Sequence, residues 1–217
     1  MEEAIKILIY VHAFFGGLGL ITGIGSVIVK KGSPAHKKMG KLFSIGMLVS
    51  SSISLPISCM PNHENVFLFL IGLFTIYLVL AGNRALTFKT KKEADMKDKL
   101  ISGAMVCFSV LMILNGAYGV LNDSSLSVLF LFFGGFGLFM SIQDFRFYKA
   151  PKKVKNTWLR LHIGKMIGAL IASITAFIVA GLGMGQYSRL DVANHYRDTI
   201  YYILEKKTET SSEVLKG

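Results

Sequence analysis

The sequence predicts an all-α membrane protein with six transmembrane helices, arranged as three hairpins with both termini on the outer face. Three observations support this fold class. Hydrophobic residues make up 52% of the chain and charged residues only 17%, which indicates that lipid is the solvent for much of it. Long apolar stretches recur along the whole sequence, and the cations gather in alternate connections between them.

The apolar stretches account for nearly the whole length. A spanning helix needs about 20 mostly apolar residues, and the chain offers six such stretches: 4–29, 39–60, 66–82, 100–121, 126–142 and 159–183. Unpaired backbone groups are costly in hydrocarbon, and these stretches are too evenly apolar to be alternating barrel strands. They are therefore predicted to be helices, in a transmembrane domain of residues 1–183.

The charge pattern predicts the orientation. The connections after helices one, three and five hold the cations Lys30, Lys31, Lys37, Lys38, Lys41, Arg84, Lys89, Lys91, Lys92, Lys97, Lys99, Arg146, Lys149, Lys152, Lys153, Lys155 and Arg160. Connections 61–65 and 122–125 hold none. The positive-inside rule then places the basic connections in the cytoplasm and both termini outside, in a bacterial plasma (inner) membrane. The net charge of +11 is spread over these loops, which argues for lipid and membrane-protein partners and against nucleic acid.

Small residues form a face on each odd-numbered helix. These residues, each set spaced 3, 4, 3, are Gly16, Gly19, Gly23 and Ser26, then Gly72, Thr75, Val79 and Gly82, then Gly134, Gly137, Ser141 and Asp144. Such spacing keeps the residues on one side of a helix, where they allow close helix packing in lipid. These faces are predicted to turn inward, and their recurrence predicts a threefold hairpin repeat.

The chain turns polar after Gly183. Residues 184–217 are predicted to be a polar tail, in which 190–207 form an amphipathic helix at the outer interface.

Ionisable residues at membrane depth are candidates for function. His12 extends the small face of helix one, so it is expected to face protein. It either forms a hydrogen bond to a neighbouring helix or serves as a ligand or proton carrier.

A second set of candidates lies near the cytoplasmic surface. Asp144 ends the small face of helix five, and His162 and Lys165 share one face of helix six. An ion pair between Asp144 and Lys165 is predicted, as a helix-to-helix link or as part of a site for a lipid head, a quinone or an anion. His36 and Arg84 either join this cluster or contact lipid phosphates.

Histidines in a membrane bundle also raise the question of haem b, which two facing histidines can hold. His12 and His162 are expected to differ in depth by about 20 Å at 1.5 Å per residue, too far for ligands of one iron. His36 and His162 share a level, but at the water interface, where a haem would be poorly buried. No other cofactor is indicated.

The motifs resemble those of a widespread bacterial family of multi-pass membrane proteins of unknown function. The blocks are residues 12–17, 31–41, 73–80 with 84–86, 143–146, 158–168 and 175–177. The resemblance spans about residues 10–180 and implies a helical membrane fold, with His12, His36, Asp144 and His162 at motif positions. Family members continue into a further apolar segment where this chain becomes polar, so a site built there is in doubt.

The sequence leaves several functions open. The leading hypothesis is a polar pocket between helices one, five and six that binds a small ligand, a lipid head or a redox cofactor, in a protein that is not expected to be an enzyme. Its predicted ligand-binding residues are His12, His36, Arg84, Asp144, His162 and Lys165. The alternatives are a small-solute transporter, a structural subunit of a membrane complex and a b-type haem electron-transfer protein.

Overall fold

The structure, a computed structural model, describes residues 2–122, 124, 126–149 and 155–182. Among these residues, six helices are long and apolar enough to cross a membrane. They are α1 (Glu2–Ile28), α2 (Pro34–Ile57), α3 (Val66–Ala85), α4 (Met96–Leu121), α5 (Ser127–Lys149) and α6 (Thr157–Ala176). The predicted all-helical fold with six spans is confirmed. The predicted tail 184–217 and its amphipathic helix 190–207 lie outside the described residues.

The helices run beyond the apolar stretches that predicted them. α2 begins at Pro34 and α4 at Met96, four or five residues before the apolar sequence, while α5 continues to Lys149. Polar side chains form these extra turns. The Ser33 hydroxyl accepts a hydrogen bond from the His36 N–H at the start of α2, and Asp95 opens α4 with a capping box. Hydropathy marks only the part of a helix in hydrocarbon, whereas caps extend it into the interface.

α1 and α2 form one of the two closest helix pairs, and glycine makes the approach possible. A Cβ on Gly46 would lie 2.8 Å from the Phe15 carbonyl oxygen and 3.0 Å from the Gly19 Cα. A Cβ on Gly23 would lie 2.7 Å from the Phe43 ring. The small face predicted for helix one therefore turns toward a neighbouring helix, as expected.

α4 and α5 form the other close pair. A Cβ on Gly134 would lie 2.9 Å from the carbonyl oxygen of Ser109, and one on Gly137 would lie 2.2 Å from the Met105 Cε. Ser141 and Asp144 continue this buried face of α5. The predicted inward face of helix five is confirmed as well.

α3 lies among the other helices and is the most buried of the six spans. Gly72 faces Ser54 of α2, and Gly82 faces Lys165 and Met166 of α6. Because other helices surround α3, its buried residues lie on several sides of the helix and not only on the small face predicted from residue spacing. The grouping into three hairpins, with both termini outside, stays a prediction.

The connections define two faces of the bundle. We call the face where α1 and α3 end and α2 and α4 begin the basic face, and the opposite one the far face. Contacts divide the chain into the unit Met1–Ile174 and a second unit that begins at Thr175. The helix contacts described above lie within the first unit. The described part of the second is the end of α6 and the π-helical turn Phe177–Gly181.

Candidate functional site

The residues predicted to bind a ligand fall into separate groups. Asp144 pairs with Lys165, Arg84 pairs with two aspartates, and the three histidines each bond a different helix. Within the described part of the chain, no hydrogen bond or ion pair joins His12 to the other five. The polar network at Asp144 is built by α3, α4, α5 and α6, whereas the predicted pocket lay between helices one, five and six.

Asp144 and Lys165 form the ion pair that the sequence predicted. The Lys165 Nζ lies 2.9 Å from the Asp144 Oδ1 and 3.0 Å from its Oδ2. Both side chains are 3% exposed. Transfer of each charge out of water costs several kcal/mol, and only close pairing with further hydrogen bonds offsets that cost. The pair is therefore held as a neutral unit.

Two further helices complete the shell of this pair. The Tyr77 hydroxyl of α3 donates to the Asp144 Oδ2 at 2.7 Å and accepts from the Lys165 Nζ at 2.8 Å. Ser102 of α4 donates to the same carboxylate oxygen at 2.9 Å. The Lys165 ammonium also lies 4.4 Å from the centre of the Tyr77 ring, a favourable cation–π distance. We call Tyr77, Ser102, Asp144 and Lys165 the buried network.

Tyr148 connects the buried network to the basic face. Its hydroxyl lies 2.9 Å from the Ser102 Oγ and 3.4 Å from the Asp98 carbonyl oxygen. Ser102 uses its own hydrogen toward Asp144, so Tyr148 donates in the contact with Ser102. Tyr148 is half-buried and lies in the last turn of α5. The hydroxyl groups of Tyr148 and Ser102 thus form a hydrogen-bonded chain that ends at the carboxylate.

Arg84 belongs to a different cluster, at the basic face. It bonds Asp98 through Nε at 2.7 Å and Asp95 through Nη2 at 2.6 Å. Lys91 also pairs with both carboxylates, at 2.8 Å to Asp95. The Asp98 side chain is fully buried, and its carboxylate accepts from the Asp95 N–H in the capping box. The cluster fixes the end of α3 to the start of α4.

Two groups of this cluster lie outside the spanning helices and have shifted pKa values. The hydrogen bond from Lys91, with one from the Asp98 N–H, holds the pKa of Asp95 well below its ordinary range. Burial lowers the pKa of Lys91, but hydrogen bonds to Asp95 and Asp98 outweigh it and raise that pKa above its ordinary value. Both groups stay charged near neutral pH.

Each of the candidate histidines bonds a neighbouring helix through the Nδ1 atom. The acceptors are the carbonyl oxygens of Ser50 for His12, Ser26 for His36 and Gly82 for His162, all at 2.9 Å. The Ser50 hydroxyl also donates to the His12 carbonyl oxygen at 3.0 Å. The alternative in which His12 links two helices by hydrogen bonds matches this geometry.

A cavity of about 380 Å³ lies near the far face, away from these groups. Its lining is mostly apolar, with Leu70, Leu73, Phe108 and Met112 among its residues. None of the six predicted ligand-binding residues lines it. This apolar cavity is therefore separate from the predicted ligand-binding residues.

The sequence did not single out Tyr77 or Ser102 as members of the site. Tyr77 lies off the small face of α3, and serines in membrane helices usually bond their own backbone. A usable signal for Ser102 was its position one helical turn after Asp98, on the face that also holds Met105 and Ser109. Tyr148 lies at the edge of the third basic connection, where an aromatic residue is ordinarily read as an interface anchor.

No group of three or more metal-binding side chains occurs within the described residues. Two-histidine sites fall below that number. No family model, no curated protein and no solved structure matches this chain. The family resemblance therefore stays a prediction. A functional proposal then rests on the chemistry of the site.

Proposed function

We propose that this chain is a multi-pass membrane protein that binds a small anionic ligand together with one proton at the buried network. The observation that carries the proposal is the neutral, fully enclosed pair of Asp144 and Lys165, which is connected to the basic face through Ser102 and Tyr148. By the positive-inside rule we assign the basic face to the cytoplasm of a plasma (inner) membrane. Both termini are then outside.

Charge balance explains why a proton accompanies the anion. In the closed state Lys165 directs its hydrogen bonds to Asp144 and to Tyr77. An anion that takes the place of Asp144 beside Lys165 would leave two negative charges and one positive charge in a buried site. Protonation of Asp144 restores neutrality, because burial strongly disfavours an uncompensated charge. The ligand and the proton therefore bind as a unit.

The hydroxyl chain supplies the route for that proton. Tyr148 passes its hydrogen to the Ser102 Oγ while Ser102 passes its own to the Asp144 Oδ2, and Tyr148 regains a proton from water at the basic face. The two transfers span contacts of 2.9 Å each, which is within ordinary hydrogen-bond reach. Toward the far face, Ser141 bonds only its own helix among the described residues. Among the described residues, the chain of hydroxyl groups therefore extends from Asp144 toward Tyr148.

The test measures proton uptake and anion binding on the same sample. Purified full-length protein in weakly buffered detergent solution is titrated with acetate, succinate and inorganic phosphate, while a pH-sensitive dye reports proton uptake and calorimetry reports binding. We expect one proton per bound anion. Asp144→Asn should bind without proton uptake, and Lys165→Met should lose binding. Glu64→Gln, in the exposed connection after α2, is the control and should behave as the wild type.

Three results would contradict the proposal. They are binding without proton uptake, retention of binding by Lys165→Met, and the absence of binding for every probe. Tyr148→Phe adds a kinetic check, because it interrupts the hydroxyl chain but leaves the pair in place. It should slow proton uptake while equilibrium affinity is unchanged.

A further inference from the structure

The junction of α1 and α2 carries positive charge that no acidic side chain balances. Its five lysines, all exposed, are Lys30, Lys31, Lys37, Lys38 and Lys41. The sequence has no aspartate or glutamate between Glu3 and Glu64, and both of these lie toward the far face. Ion pairs within the described residues use Arg84, Lys91 and Lys165 and none of the five lysines. The junction is therefore an exposed patch of uncompensated charge.

The junction of α3 and α4, also at the basic face, is built differently. There Asp95 and Asp98 pair with Arg84 and Lys91. The remaining exposed lysines of this junction, which lie close in sequence to the same two carboxylates, are Lys92, Lys97 and Lys99. Two junctions that are both rich in cations thus differ in whether carboxylates accompany them.

Close contacts fix the lysine-bearing turns of the first junction. The Ser26 carbonyl oxygen of α1 lies 2.9 Å from the His36 Nδ1 and 3.3 Å from the Lys31 Nζ. The end of α1, the connection and the first turn of α2 therefore meet at one oxygen atom. Only 29–33 separate the two helices, which form one of the closest helix pairs of the bundle. The charges are held near one another by this packing.

The lysines of α2 adjoin exposed apolar surface on the same side of the helix. Lys41 lies four residues after Lys37 and three after Lys38, so the three are neighbours on the helix surface. Ile45 continues this side one turn farther from the basic face and is exposed, whereas Phe43 belongs to the buried side. A phospholipid has the same order of groups, with its phosphate at the interface and its chains in hydrocarbon. An acidic protein segment would need no apolar surface beside the charges.

We infer that Lys37, Lys38 and Lys41, flanked by Lys30 and Lys31, bind the phosphate head group of an anionic phospholipid in the leaflet at the basic face. Clusters of four to eight cations beside a membrane span attract anionic lipids, and each cation near the surface strengthens binding about fivefold. The inference is independent of the anion binding proposed for the buried network, because the two sites share no residue.

Native mass spectrometry of the purified full-length protein in a neutral detergent tests the inference. The probes are phosphatidylglycerol and phosphatidylcholine with identical acyl chains. The test variant combines Lys37→Gln, Lys38→Gln and Lys41→Gln, and a second variant with arginine at the same three positions keeps the charge. The matched control, which loses the same charge at the α3–α4 junction, combines Lys92→Gln, Lys97→Gln and Lys99→Gln. All six positions are exposed, and circular dichroism checks that each variant is folded.

We expect the wild type to bind phosphatidylglycerol more tightly than phosphatidylcholine. The glutamine test variant should bind phosphatidylglycerol on the order of 100-fold more weakly, from about fivefold per lysine, whereas the arginine variant and the control should stay close to the wild type. Glycerol phosphate and a polyglutamate peptide, each at the lipid concentration, should leave the lipid bound. Equal binding of the two lipids by the wild type, or equal losses in the test variant and the control, would overturn the inference. Displacement by either soluble probe would also overturn it, and would assign the lysines to a free anion or an acidic protein segment.

Discussion

The carboxylate of Asp144 on α5 and the ammonium of Lys165 on α6 lie 2.9 Å apart with both side chains 3% exposed. This contact joins helices that have few close backbone contacts, because α5 packs mainly on α4. A charged link of this kind contributes to the position of α6 only while both partners are present. Substitution of one partner therefore leaves a buried, unpaired charge, whereas substitution of both partners leaves none.

A single substitution at this pair should destabilise the protein far more than the double substitution does. Lys165→Met leaves the Asp144 carboxylate buried and unpaired, and we expect a loss of about 3–5 kcal/mol in the free energy of unfolding. The double variant Asp144→Leu with Lys165→Met removes both charges and should recover most of that loss. Reversible unfolding in mixed micelles measures both. A double variant as unstable as the single one would show that charge pairing is not the source of the effect.

The protein should tolerate Gly46→Ala far less well than Gly17→Ala. A Cβ at Gly46 would lie 2.8–3.0 Å from backbone atoms of α1, and that backbone cannot move away without separating the two helices. A Cβ at Gly17 would have no neighbouring atom within 4 Å. We expect Gly46→Ala to destabilise by about 1–3 kcal/mol. Gly17→Ala should be neutral or stabilising by up to about 1 kcal/mol, from helix propensity. Thermal unfolding followed by circular dichroism compares them, and equal shifts would contradict the prediction.

Two serines on one face of α4 should respond in opposite ways to alanine. Ser109 Oγ is buried and has no hydrogen-bond partner within the described residues, whereas Ser102 donates to Asp144. Ser109→Ala should therefore be neutral or stabilising, by up to about 1–3 kcal/mol, the cost of an unsatisfied buried group. Ser102→Ala should destabilise by about 1.5–3 kcal/mol, as loss of a bond to a charged group does. Destabilisation by Ser109→Ala would reveal a partner for this hydroxyl.

Acid should loosen the connection between α3 and α4. The pKa of Asp95 is held below its ordinary value of 3.8, so its ion pairs contribute fully above that pH and are lost as the pH falls through the lowered pKa. The pKa of Lys91 is raised above 10.5, so its contribution is present below that pH and is lost only in stronger base. Between these limits the connection should keep its order.

A spin label at Lys92→Cys, in a Cys59→Ala and Cys107→Ala background, reports the mobility of this connection. We expect a constant spectrum from pH 5 to pH 9, and increased mobility as the pH falls below the ordinary value of about 3.8. Asp95→Asn should show the mobile spectrum already at pH 7. A wild-type label that becomes mobile between pH 5 and pH 9 would contradict the assignment.

The spans and their inward faces were readable from the sequence because both depend on local chemistry. Hydrocarbon permits only helices or closed barrels, and the spacing of Gly134, Gly137 and Asp144 defines one side of a helix whatever packs on it. The same periodicity and depth supported the pairing of Asp144 with Lys165. The predicted start of α2 and the predicted end of α5 were less accurate, because the polar turns at these positions are not part of the apolar pattern.

Only the tertiary structure decided which helices meet. Periodicity identifies the side of a helix that is buried but not the neighbour that buries it, so His12 was grouped with Asp144 although its hydrogen bonds go to Ser50. For the same reason Tyr77 and Ser102 went unnoticed, since their importance comes from α3 and α4 lying against a carboxylate of α5. Side chains far apart in the chain become partners through packing, which no local pattern encodes.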